Sequence, residues 1–196
     1  YCILSEAWNA TSTKELIAMF NKCLVDNGIP IARFRIVIKT LHPQLFARGF
    51  TWNRGEEEVT EFDADFEVIN TSAYVDSPFR TIIEGSAGVR RRLEGEKPVL
   101  DYPYLVDAKE EGMTDYVAMP MEFSDGQRNV FSMVTDRKGG FSIDDLGHIY
   151  EIMPTLSRLI EMHYVRRTAV TLLDTYLGEQ TGKKVLNGQI KRGDGD

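Results

Sequence analysis

Three histidines, His42, His148 and His163, are the side chains best suited to proton transfer or metal ligation near neutral pH, and they lie far apart in the chain. None sits in a zinc, catalytic-triad or phosphate-loop pattern. His148 and Glu151, three apart on a helical stretch, have ligand spacing but no partner motif to complete a coordination shell. The residues therefore predict no catalytic set and no metal site. Binding chemistry is better represented. In a predicted strand at Val89–Leu93, alternation puts Arg91 on the face of Val89 and Leu93 and turns Arg90 and Arg92 the other way. An inward guanidinium suits the carboxylate or phosphate of a ligand, and equally an internal salt bridge to one of the chain's many acids. Aromatic residues and methionines come from segments expected to surround the open face of the same sheet, Met113 and Met119 among them. The candidate ligand-binding set is Trp52, Tyr74, Phe79, Arg91, Tyr102, Tyr104 and Met121, each also able to serve simply as core.

The elements that must position these groups are legible from periodicity. Ser12 and Glu15 form a capping-box pattern, and Leu16, Ile17, Phe20, Cys23 and Leu24 repeat at helical spacing up to Gly28. Ile31–Leu41 alternates, with Ala32, Phe34, Ile36 and Ile38 on one face and Arg33, Arg35 and Lys39 on the other, as in a half-buried strand. Phe46–Arg54, with Phe50 and Trp52 on one face, and Val59–Val68 complete a predicted meander. Ser77-Pro78 starts a short helix through Ile83, and Tyr104–Glu111 is another, closed by Gly112. Asp115–Phe123 and Arg128–Thr135 flank Ser124-Asp125-Gly126-Gln127 as a hairpin. Ser142 caps a long helix, with Asp144 and Asp145 in its first turn, that extends to Leu177. This order predicts an α+β domain, an antiparallel sheet with helices on its faces and a long C-terminal helix. It resembles the GAF fold, a small-molecule sensor module, with a PAS-like arrangement as the alternative.

Along the long helix a spacing of three then four residues runs from Ile149 through Ile152, Leu156, Leu159, His163, Arg166, Val170, Leu173 and Leu177. Such a seam is expected to pair with a second copy as a parallel homodimer, or, in its first half, to pack on the domain's own sheet. Pro154 is expected to kink the helix or mark where it leaves the domain. His163 and Arg166 place polar groups on the seam, which suits either a register switch or a helix rotated to face water.

Composition sets outer limits. With 196 residues, 42% hydrophobic and 27% charged, the chain holds one full-sized domain and extra helix. A net charge of -7 argues against nucleic acid or an anionic membrane as the main partner. No apolar run approaches the roughly 18–20 residues of a membrane span, and the expected location is cytoplasmic. Cys2 and Cys23 are too few for a disulfide scaffold, and Cys23 falls on the apolar face of the first helix.

The C-terminal run Leu172–Gly178, Thr181-Gly182 and Val185-Leu186-x-Gly188-x-Ile190-x-Arg192-Gly193-Asp194-Gly195 resembles the stretch preceding the catalytic domain in a group of bacterial class III adenylate cyclases. Asp101–Gln127 and Asp136–Ser142 resemble the second half of the sensory domain those enzymes carry. The resemblance implies a GAF-like regulatory region of a phosphorus-oxygen lyase that makes cAMP from ATP and needs a divalent metal such as Mg in its catalytic domain. The catalytic signature of such enzymes, Phe-Ser-Asp continuing into Gly-Phe-Thr, is absent as a unit, and neither Gly140-Phe141-Ser142 nor Asp194 and Asp196 replaces it. No cofactor is expected in this segment; a small-molecule ligand is. The expected organisation is a sensor domain over residues 1–145, a dimerising helix over 142–178 and a linker over 179–196. The start at Tyr1 and this linker suggest a piece of a longer protein, with the Gly-rich close acting as a joint to the cyclase domain.

Overall fold

Ser12 opens the first helix, α1 (Thr13–Asp26), by accepting the Glu15 N–H at 3.2 Å. The computed structural model describes residues 7–42, 44–186 and 188. Cys2 and the Gly-rich close beyond Gly188 lie outside the described residues. The capping box is displaced by one residue: the Glu15 carboxylate takes the N–H and hydroxyl of Thr11 instead of the Ser12 N–H. Leu16, Ile17, Phe20, Cys23 and Leu24 form the buried face of α1, and Gly28, at φ +86°, turns the chain out of it.

Strands β1 (Arg33–Lys39), β2 (Leu45–Asn53) and β3 (Thr60–Asp65) make the expected meander, the third shorter than predicted because Phe66–Asn70 winds into a 3-10 turn. Short helices α2 (Ser72–Val75) and α3 (Pro78–Ile83) follow, the latter capped by Ser77. Then come β4 (Val89–Arg92), α4 (Pro103–Glu110), β5 (Asp115–Glu122) and β6 (Arg128–Thr135). The six strands order as β3-β2-β1-β6-β5-β4, and every pairing is antiparallel. β1 and β6 are the central pair, and helical layers lie on both faces of the sheet. α1 and the long helix α5 (Ile143–Leu177) bury Phe34, Ile36, Phe50, Trp52, Val117 and Phe131 on one face. On the other face Ile82, Leu93, Leu105 and Ala108 pack against Tyr116, Ala118, Val130 and Val134.

A buried carboxylate joins the sheet to the start of α5. Asp115, fully buried, accepts Arg90 Nη2 at 2.7 Å and the Phe141 N–H at 3.1 Å, with Arg92 Nε 3.6 Å away. Arg90 also donates to the Phe141 carbonyl at 2.7 Å, and Arg92 to that of Gly139. Gly140 sits at φ +68°, and a Cβ there would lie 2.6 Å from the Asp115 carboxylate. Ser142 then caps α5 in a complete box with Asp145, which Arg137 also holds.

α5 has 35 residues, about 52 Å at 1.5 Å each. It runs unbroken through Pro154, which lies on the exposed side, and it leaves the domain only later: Ile149, Met153, Leu156, Leu159 and Ile160 are all in the core. Ile152 packs against that core from its edge. Beyond Ile160 one side of the helix still touches the domain, through the Tyr164 hydroxyl accepting the Leu41 N–H at 3.0 Å and Arg167 bonded to Glu61 at 2.8 Å. His163, Arg166 and Val170 flank that side in a shallow groove with Thr11–Lys14 and Phe50. Leu173 is half-buried and Leu177 exposed. After Gly178 a last helix, α6 (Glu179–Leu186), packs on the end of α5, where a Cβ on Gly182 would meet the Leu173 backbone at 3.2 Å.

Gly140→Ala is expected to lose at least about 2 kcal/mol, because it combines a left-handed backbone with a clash on a buried carboxylate. Asp115→Asn, isosteric but uncharged, is expected to lose about 2–3 kcal/mol. Urea unfolding followed by circular dichroism measures both. Burial and the Arg166 charge hold the pKa of His163 below the usual imidazole value, against an opposing pull from Glu15. The unfolded chain therefore takes up that proton first as pH falls, and stability is lost on acidification from about pH 6.5 downward. His163→Gln should flatten this part of the pH profile.

Candidate functional site

Alternation along β1 sends Arg33, Arg35, Val37 and Lys39 to the face away from α1 and α5. These four are only half-buried although β1 is a central strand. The reason is uneven cover. α3 and α4 close over β6, β5 and β4, whereas the half made by β3, β2 and β1 lies under Phe62 and the segment 66–75, whose Phe66, Ile69 and Val75 are exposed.

Arg35 occupies the middle of this half-open face. Its Nε donates to Thr51 Oγ1 at 3.2 Å across the β1–β2 pair, and its guanidinium lies 5.8 Å from the Phe62 ring centroid and 5.7 Å from that of Tyr104. Both distances are in cation–π range. Phe62 lies directly across the ladder from Gly49, and its ring occupies the space where any Cβ on that glycine would stand. Tyr104 is positioned by Arg33, whose Nη1 donates to its hydroxyl at 3.3 Å, and by an edge contact with Tyr116 at 5.6 Å. Arg33 is itself satisfied by Asn53 at 2.9 Å and Glu111 at 2.7 Å. Further along β1, Lys39 Nζ stands 5.9 Å from the Phe46 ring, which meets Tyr74 and Phe66 edge-on. A register shift between Leu45 and Ala47 precedes this and accompanies the turn of Phe46 toward Lys39. The face can therefore offer fixed cations beside aromatic walls.

The sequence-predicted candidates divide between the two faces of the sheet. Tyr104 touches Arg35, and Tyr74 stands at the Lys39 end. Phe79, Tyr102 and Arg91 lie at the far end, around the second core, where Tyr102 shares a hydrogen bond with Thr81 at 3.1 Å. The Arg91 guanidinium is taken by Asp101, at 2.9 and 2.5 Å, and rests over Tyr102. Trp52 and Met121 must be reassigned: the alternation that buries Phe50 and Val117 under α1 and α5 carries these two to that same face. Trp52 packs beside Ala18, Met19 and Val25, and Met121 borders an open hollow of about 560 Å³ with Met119 and Met153. Phe123-Ser124-Asp125 is the hairpin turn between β5 and β6, with the Ser124 N–H held by Glu161 and the Asp125 carboxylate by the Gln127 N–H. Arg35, Thr51, Phe62 and Lys39 were not among the candidates, because β1 was expected to face water on its charged side. Gly49 opposite Phe62 is the signal that a ring lies on that side. Among the described residues no group of three or more His, Cys, Asp or Glu side chains is placed to hold a metal ion.

No family model and no curated protein matches the sequence. Among solved structures the chain is similar to the GAF domain of a two-component sensor histidine kinase from Bacillus halodurans, with a TM-score of 0.53 and 12% identity over 77% of this chain and 97% of that one. It is also similar to the N-acylhomoserine lactone-dependent LuxR-family transcription factor CepR2 from Burkholderia cenocepacia, with a TM-score of 0.51 and 11% identity over 85% of this chain and 94% of that one. Such identities speak for the fold alone. The fold is α+β and GAF-like, a six-stranded antiparallel sheet between helical layers with a long C-terminal helix.

Arg91 and Asp101 are partly exposed, at 28% and 40%. A double-mutant cycle with Arg91→Ala and Asp101→Ala should therefore yield a coupling of about 0.5–1 kcal/mol in stability, in keeping with a structural surface pair.

Proposed function

We propose that this chain is the regulatory region of a bacterial class III adenylate cyclase. Its GAF-like domain binds a small molecule on the half-open face and dimerises, and α5 passes the resulting change to a C-terminal cyclase domain. The carrying observation is the course of α5: its first turn is tied to the sheet through Asp115 and Phe141, and it continues past Ile160, its last core residue, to Leu177. The tail Leu172–Gly195 and the segments Asp101–Gln127 and Asp136–Ser142, similar to the cyclase regulatory regions, support the parent enzyme. Among the described residues no helix is long and apolar enough to cross a membrane, which is compatible with a cytoplasmic setting.

The homodimer we propose uses a different stripe from the seam first read off the helix. Ile149, Ile152, Leu156 and Leu159 serve the domain's own core, and His163, Arg166 and Val170 flank its edge. Met162, Val165, Leu172 and Tyr176 remain exposed and, with Ala169 between them, repeat at three and four residues. That spacing is a heptad seam suited to a parallel partner helix, with Leu172 and Tyr176 also bordering a hollow against Leu41, Leu45 and Arg48. A ligand would alter the helix pair only by binding its two arrangements unequally.

A second reading, a ligand-free dimerisation scaffold, draws on the Phe62 ring, which already lies on the face over Gly49. Native mass spectrometry separates the two, since a retained small molecule favours the sensor and a bare dimer mass the scaffold. Val165→Glu with Leu172→Glu is expected to convert a dimer into a monomer of unchanged helix content in sedimentation experiments; a persisting dimer removes this seam. For regulation, the longer enzyme should change its cyclase output when residues 1–160 are deleted, and unchanged output and ligand response would refute the role.

A further inference from the structure

Arg35 stands apart from the other arginines of the chain. Among the described residues every arginine except Arg35 and Arg166 has a carboxylate within 4.0 Å. Arg166 is exposed to solvent, whereas Arg35 is half-buried on a central strand. Its Nε is occupied by Thr51, while neither terminal nitrogen has a hydrogen-bond partner among the described residues. The contrast with Arg33, two residues away on the same face and bonded to Asn53, Tyr104 and Glu111, shows that the fold can saturate an arginine here when it is structural. With Lys39 on the same face, the cations are gathered in a chain whose net charge is -7.

We propose that Arg35 is the anion-reading group of this face, and that the ligand is a planar aromatic or heteroaromatic molecule carrying a carboxylate or phosphate. This rests on the sensing role proposed above and narrows it. A guanidinium with both terminal nitrogens open presents a fork that matches two oxygens of a carboxylate or phosphate. Phe62 and Tyr104 hold that fork from its flanks, and Val37, Phe46 and Tyr74 continue the apolar floor toward Lys39. A flat ring lies against such walls, and its acid group meets Arg35. Phe62 rests on a glycine and is 39% exposed, so its ring can swing aside for the ligand without a change in the strand pairing.

The test is isothermal titration of the full chain with two matched pairs of probes: indole-3-acetate against indole-3-acetamide, and adenosine 5′-monophosphate against adenosine. At least one anion should bind about tenfold or more tightly than its neutral partner, the gain of a charge-assisted hydrogen bond, and the pair that shows it tells carboxylate from phosphate. Arg35→Gln should abolish that preference with the unfolding temperature little changed, and Arg35→Lys, which keeps the charge but not the fork, should restore part of it. Equal affinity within both pairs, no binding of either anion, or a preference that survives in Arg35→Gln would each overturn the assignment. Failure of the sensing role is seen separately. A neutral molecule retained in native mass spectra sinks the Arg35 assignment and upholds sensing, whereas a bare protein that binds none of the probes sinks both.

Discussion

The buried carboxylate of Asp115 is the interaction on which the arrangement of this protein turns. A charge with no exposure must be matched where it stands, and here three matching groups come from two other places in the chain: Arg90 and Arg92 on β4 and the Phe141 amide before α5. Edge strand, inner strand and helix entry are thereby locked together. Gly140 is part of the same constraint, because only a residue without Cβ lets the backbone pass the carboxylate at that φ. The position of α5 over the sheet follows, and with it the direction in which its last turns leave the domain.

The same strand that carries Arg90 and Arg92 to α5 carries Arg91 to the opposite face, against Asp101 and Tyr102. β4 thus has one set of contacts with the entry to α5 and another with the layer over the second core. The two faces are packed differently. One is a closed apolar core under α1 and α5; the other is closed over β4, β5 and β6 but half-open over β1, β2 and β3. There the pairing of Arg35 with the Phe62 and Tyr104 rings is the feature on which the proposed binding rests.

Most of the secondary structure was legible because local signals were strong. Ser12, Ser77 and Ser142 each cap the helix predicted for them, and the Asp-Gly hairpin between β5 and β6 stands where the turn residues place it. The half-open face was legible only in part. Tyr104 and Tyr74 were recognisable as aromatics near a sheet, but Arg35 and Lys39 alternate with Phe34, Ile36 and Ile38 in the manner of a strand with one wet face. That pattern is the same whether the polar face meets water or a second layer. Trp52 and Met121 were misplaced for a related reason: period two says which residues share a face, not which face is the open one.

Composition and periodicity by themselves determined the class of the fold, its element order and the absence of a recognisable catalytic motif, because these depend on near neighbours in the chain. Tertiary structure decided the strand order, the uneven cover of the sheet, the separation of Arg35 from every carboxylate of the described residues and which stripe of α5 stays exposed. A helix with apolar residues on more than one side does not reveal which of them its own domain will bury. That choice is made by contacts between residues far apart in sequence, and along α5 it consumed Ile149, Leu156 and Leu159 and left Met162, Val165, Leu172 and Tyr176 exposed.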